Sequence, residues 1–159
     1  MDELRKQLKE TLATVFGFYL KAHNFHWNVE GPNFREYHGL FQEIYEDTYS
    51  SIDNLAERIR TAGTYAPGSF IRYSELSKVE DEVGVPSQLE MVDILSADNA
   101  IVIDSLNKSF SEASKLNMQG LMNFLADRID QHNKWAWFLR ASKKKGEWNG
   151  TNERIDRGG

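Results

Sequence analysis

The chain has no cysteine, only three prolines in 159 residues, and no run of about 18 apolar residues. The first absence removes disulfides, thiolate metal sites and cysteine nucleophiles together, and it suits a reducing cytoplasm. Any metal must be held by oxygen and imidazole. The missing apolar run removes a membrane-spanning helix, and the charged opening MDELRKQLKETLA has no apolar signal core, so a cytoplasmic address is expected. A basic surplus is lacking as well: the formal charge of -5 argues against a generally basic nucleic-acid binder. Histidine is scarce, yet three of the four, His23, His26 and His38, fall within sixteen positions. Either they pack and cap locally, or they bind something.

The composition, 40% hydrophobic and 27% charged, is that of one compact globular domain. Apolar residues recur at three and four along Leu4, Leu8, Leu12, Val15, Phe16, Tyr19 and Leu20, which predicts a first core-facing helix running to about Val29. Gly31-Pro32 breaks it. Asn33 with Glu36 reads as an N-cap and its capping-box partner, and the next stripe, Phe34, His38, Phe41, Tyr45, Ile52, Leu55 and Ile59, predicts a second helix ending at Gly63. Residues 64–86 have mixed periodicity and carry Pro67, Gly68, Gly84 and Pro86; they predict a long crossover with a short helix near Phe70 to Leu76, which lets the flanking helices run parallel. Ser87 and Glu90 form a second capping box, and Leu89, Val92, Leu95, Val102, Leu106 and Phe110 carry a third long helix towards Lys115. After a break near Asn117 to Gly120, Leu121, Phe124, Leu125, Ile129, His132, Ala136 and Leu139 face inward on a fourth, with Lys143 to Lys145 and Gly146 at its end. The reading is all-α: a ferritin-like four-helix bundle over residues 1–145, with a short helix in the long crossover, and a polar tail over 146–159.

Asp53 and Glu57, in SIDNLAER, lie four apart and project from one face of the second helix. Such pairs are common on solvated faces, and Glu57 could pair with Arg58 or Arg60; a histidine on an apolar stripe is often a hydrogen-bonded core residue. Together, though, His26, His38, Asp53 and Glu57 are the densest supply of imidazole and carboxylate in the chain, a donor set that suits iron, zinc or manganese. Distance then decides the arrangement. His38 and Asp53 are fifteen residues apart on one predicted helix, about 22 Å at about 1.5 Å per residue, whereas ligands of one ion lie within about 2 to 2.5 Å of it. No Glu-x-x-His, the mark of an intrachain di-iron bundle, occurs. If the histidines and carboxylates cooperate, a second subunit must bring its acids, and a two-fold axis does so twice over, making two identical sites per dimer.

The stretch HWNVEGPNFREYH from His26 to His38, followed by DNLAER from Asp53, resembles the signature of the Dps family, the mini-ferritins known as DNA-binding proteins from starved cells; WAWFLRA, Trp135 to Ala141, is similar to that family's last helix. The resemblance implies a hollow dodecamer that oxidises Fe(II), typically with hydrogen peroxide in preference to oxygen, and stores Fe(III) mineral, limiting oxidative damage. It implies that His26 and His38 bind iron with Asp53 and Glu57 of the partner subunit, and that Trp27 beside them intercepts stray oxidising equivalents. The alternative reading is a DNA-compacting shell with a weak metal site, associated with the nucleoid.

Two features depart from the family pattern. Where many relatives carry another acid one turn after His38, this chain has Gln42, a neutral carbonyl, which leaves a firm first iron and a weak second. The three-fold entry pores of the family are acidic, whereas SKLNMQGLMN is uncharged apart from Lys115; Asp127 and Asp130 are the pore candidates. For DNA, the first ten residues sum to zero charge and form no basic arm, while residues 143–159 carry +2 and could touch phosphates weakly when repeated around a shell. His23 is read as a hydrogen-bonded neighbour of the site or an orienting group, His132 as structural, and Tyr37, Tyr45 and Tyr49 as packing aromatics.

Overall fold

The first helix forms because one face is an almost unbroken ladder of apolar side chains. In the computed structural model, described for residues 1–143, α1 spans Asp2–Asn28, and Leu4, Leu8, Leu12, Phe18, Ala22 and Phe25 on it are fully buried. Each large side chain removed from water in this way contributes about 2 kcal/mol. Because Leu4 and Leu8 are locked into the core, the N-terminal ten residues belong to the bundle, as the apolar stripe through Leu4 and Leu8 predicted.

Helix α2 spans Phe34–Thr61, α3 Phe70–Leu76, α4 Gln88–Lys115 and α5 Gln119–Ser142, with no strand among the described residues. The architecture is the ferritin-like bundle expected: α1 packs on α2 and α4, α5 on α4, and α2 touches α5 to close the ring. The crossover helix falls on the predicted residues, capped by the Ser69 side chain, which accepts from the Arg72 amide. Both halves of the capping box at Ser87 and Glu90 are present. Gly63, at φ 81°, sits just past α2 where the chain must turn left-handed, and Arg5 Nε donates to the Ala62 carbonyl at 2.7 Å, covering that helix end from α1.

Three expectations need correction. Asn33 does not cap α2 with its side chain; it adopts a left-handed conformation, φ 62° and ψ 31°, and no capping box forms with Glu36. Gly31-Pro32 already reverses the chain, and asparagine is one of the few residues that enter the left-handed region readily, so the turn uses the backbone tolerance of Asn33 in place of its carbonyl. Leu20, Phe34 and Leu89, assigned to inward stripes, are more than a third exposed, because the apolar face of each helix is wider than the surface its neighbours cover. Conversely, Ile44 and Trp135 are core residues that those stripes omitted. The stop expected at Gly146 and the tail from 146 lie outside the described residues.

Polar groups tie the helices at fixed points. Thr11 Oγ1 lies 2.8 Å from both Ser105 Oγ and Ser109 Oγ, linking α1 to α4. Lys21 and Asp98 form a buried ion pair at 2.8 Å between the same helices; burial pushes the Asp98 carboxyl above its usual range, an effect the lysine only partly offsets. The crossover is seated on α1 by the Lys78 amide, which donates to Thr14 Oγ1 at 3.1 Å. It approaches closely enough that a Cβ at Gly17 would meet Ser77 Oγ at 2.9 Å. None of the described helices is long and apolar enough to cross a membrane.

Candidate metal centre

The turn from α1 into α2 folds His26, in the last turn of α1, against His38, in the second turn of α2. Their rings stack with centroids 3.8 Å apart and planes 17° from parallel, and Phe34 extends the stack on the His38 side at 5.0 Å. Each ring bonds to the backbone of the other residue: His26 Nδ1 lies 2.8 Å from the His38 carbonyl oxygen, and His38 Nδ1 lies 2.7 Å from the His26 carbonyl oxygen. A carbonyl only accepts, so each Nδ1 carries the proton and donates it. Both rings are thereby held as the tautomer whose Nε2 bears a lone pair, and neither Nε2 is used by any hydrogen bond among the described residues. This is how ligating imidazoles are oriented, with one nitrogen anchored to a carbonyl and the other presented.

Asp53 and Glu57 lie on the same continuous helix as His38, four to five turns further along, and both are exposed. Neither enters an ion pair or hydrogen bond among the described residues. Arg58 is engaged by Asn54 Oδ1 at 3.1 Å and lies over the Phe124 ring, and Arg60 reaches the Thr64 carbonyl and the Tyr65 ring, so neither guanidinium neutralises Glu57. Among the described residues no three histidine, aspartate or glutamate side chains converge on one point. One chain thus holds a pair of imidazoles and, well apart from it along α2, a pair of carboxylates. Gln42, one turn after His38, donates through Nε2 to Glu46 Oε1 at 2.8 Å. Asp127 and Asp130 are exposed on α5.

Beside the imidazole pair lies an aromatic cluster. His23 stacks on Tyr45 at 3.8 Å and 14°, and the exposed Trp27 covers its other neighbourhood at 3.9 Å, so the tryptophan rests on His23. Tyr19 Oη lies 3.0 Å from His23 Nδ1, and the Tyr19 ring is 5.0 Å from Tyr49. Burial, reinforced by His26, lowers the pKa of His23; burial, reinforced by Tyr49 and Tyr45, raises that of Tyr19. Tyr45 also meets His26 edge-on at 5.0 Å. The four-residue spacing of Tyr19 and His23 on α1 was the signal available in the sequence for this pair.

The remaining histidine is of another kind. His132 is fully buried on α5; its Nδ1 bonds Asn99 Oδ1 at 2.8 Å, and its Nε2 faces Arg128 Nη2 at 3.2 Å. Arg128 grips Asp47 on α2 with two bonds of 2.9 Å, and Trp135 Nε1 donates to the same carboxylate at 2.7 Å. Burial opposes ionisation of Asp47, but the bonds from Arg128 and Trp135 outweigh it and hold the carboxyl below its usual range. Burial, with the charge of Arg128, pushes His132 down to about 3, so the ring is neutral and structural, as expected.

A family model for the ferritin-like domain matches residues 5–147. The chain is 31% identical over 135 residues to the DNA protection during starvation protein of Brevibacillus brevis, covering 84% of this chain and 90% of that one. A low-temperature-induced protein of Nostoc, itself uncharacterised, is 35% identical over 136 residues, covering 84% and 76% respectively. The crystal structure of a Dps protein from Vibrio cholerae, a member of a broad superfamily of ferritin-like diiron-carboxylate proteins, matches with a TM-score of 0.86 at 28% identity over 90% of each chain.

Proposed function

The chain belongs to the Dps family of ferritin-like proteins, and from that premise we propose that it oxidises Fe(II), with hydrogen peroxide as the favoured oxidant, at sites completed between two subunits. The observation that carries the reading is the exchange of Nδ1–carbonyl bonds between His26 and His38, which leaves two lone-pair nitrogens on stacked rings with no partner among the described residues. Asp53 and Glu57 of the partner subunit, exposed and without a partner among the described residues, supply the charge that favours the Fe(III) product over Fe(II). With few protein ligands, the iron keeps open positions at which peroxide can react. Iron here is substrate and cargo: the oxidised product is stored as mineral inside a dodecameric shell, and exposed acids such as Asp127 and Asp130 draw Fe(II) towards its entrances.

The test is complementation between half-sites. His38→Ala and Asp53→Ala each abolish peroxide-dependent Fe(II) oxidation, followed by stopped flow, in assemblies of unchanged mass. After proven subunit exchange, a mixed pair retains one unaltered site, so activity returns in part. Exchanged assemblies that stay inactive exclude ligation across the interface. Oxidation that survives both substitutions excludes these residues as ligands.

A further inference from the structure

Peroxide is a two-electron oxidant, and whenever one iron occupies the proposed site, the state that Gln42 in place of an acid would favour, a single Fe(II) provides half of what peroxide demands. The other electron needs a donor close by, or a hydroxyl radical is released. The Tyr19–His23 pair has the geometry for that donation. A phenol loses an electron readily only if its proton leaves at the same time, and Tyr19 Oη already sits 3.0 Å from His23 Nδ1, which takes that proton when the ring carries its own on Nε2. The pair is wired to the imidazole site by ring contacts: His26 to Tyr45 at 5.0 Å, Tyr45 to His23 at 3.8 Å, and Trp27 to His23 at 3.9 Å. Tyr19 is also 5.0 Å from Tyr49 and 6.4 Å from Tyr45, ring to ring.

We infer that Tyr19, with His23 as its proton acceptor, is the electron donor that completes peroxide reduction when one iron occupies the site; this rests on the function proposed above. The step balances. One Fe(II), one peroxide and one phenol give one Fe(III), one hydroxide, one water and one phenoxyl radical; the O–O bond breaks, one electron coming from iron and one from Tyr19. The phenolic proton moves to His23 Nδ1 and is passed on to the water formed. A second Fe(II) then returns an electron to the phenoxyl, and Tyr19 recovers a proton through His23. Two irons are oxidised per peroxide in sequence, without both being bound together, and no hydroxyl radical leaves.

The experiment mixes the assembled protein with Fe(II) at one ion per site and with peroxide, freezes it within milliseconds, and reads the electron paramagnetic resonance spectrum, with spin-trapped hydroxyl radical measured in parallel per iron oxidised. The wild-type protein gives a tyrosyl signal and little trapped radical. Tyr19→Phe loses the signal and releases trappable radical. His23→Gln, which keeps a hydrogen-bond acceptor but not a base, loses it too, and Tyr65→Phe, remote on the crossover, retains it. A tyrosyl signal undiminished in Tyr19→Phe, or absent from wild-type protein that is oxidising iron, overturns the inference and leaves the proposed function intact. Wild-type protein that oxidises no iron removes the function itself.

Discussion

His132 and the His26–His38 pair are all buried or half-buried in one small bundle, and they differ in how many ring nitrogens the chain itself consumes. At His132 both are spent, one on Asn99 and one on Arg128, and burial keeps the ring neutral. At His26 and His38 one nitrogen of each is spent on a neighbouring carbonyl, and the other has no partner among the described residues. Burial therefore does not distinguish His132 from the pair; the count of donors and acceptors does. The contrast extends to the acids. Asp47 is enclosed by three hydrogen bonds, whereas Asp53 and Glu57, on the same helix, have no partner among the described residues.

The largest effect should come from breaking the enclosed region. Asp47→Ala strands the Arg128 guanidinium, leaves the Trp135 N–H without an acceptor and withdraws support from His132, a loss of about 3 kcal/mol, the low end for breaking a buried pair. His38→Ala forfeits one neutral hydrogen bond from its own ring, about 1 kcal/mol, while abolishing iron oxidation. Denaturant unfolding of both variants at one protein concentration ranks them, and equal losses would erase the distinction drawn between the two regions.

Acid should act on the same region. The unfolded chain protonates His132 near its ordinary value of about 6.5, whereas the native ring resists until about 3, so stability falls as pH drops through that window. Asp47 adds a further loss below about pH 4, as pH falls towards its depressed native value. Unfolding free energies of His132→Gln should slope less steeply with pH between these limits, whatever its stability at neutrality. An unchanged slope would place the acid sensitivity elsewhere.

On the open region, Gln42→Glu tests the claim of one firm iron. A carboxylate one turn from His38 adds a charged oxygen ligand, and affinity for a second Fe(II) should rise by about tenfold, the scale on which single groups around a metal change its binding. Anaerobic titration should then approach two ions per site. A second ion already bound tightly by the wild-type protein would show that a neutral carbonyl suffices there.

The helices were legible in the sequence because each writes its own period and punctuation within a dozen residues: the crossover helix at Phe70–Leu76 and the box at Ser87 and Glu90 are local signals. The ligand candidates were legible by type and spacing, and the half-site separation followed from helix rise alone. The enclosed network was not. Asp47 and Arg128 are 81 residues apart and Asn99 and His132 are 33 apart, so no local pattern announces them. Nor does any spacing reveal that two imidazoles trade bonds with one another's backbone, since that depends on how the turn between α1 and α2 closes.

That turn supplies the smallest test. Asn33 holds φ 62° without a side-chain cap, so its backbone tolerance, not its amide, is what the turn uses. Asn33→Ala should cost about 1 kcal/mol, the penalty for placing an ordinary residue in the left-handed region, whereas Asn33→Gly should be close to neutral because glycine enters that region freely. If the turn also sets the register in which His26 and His38 exchange their bonds, the alanine variant should bind Fe(II) more weakly and the glycine variant should not. A capping role would reverse the expectation, with both substitutions losing the same side-chain bond. Unfolding midpoints and anaerobic iron titration of the two variants separate these cases.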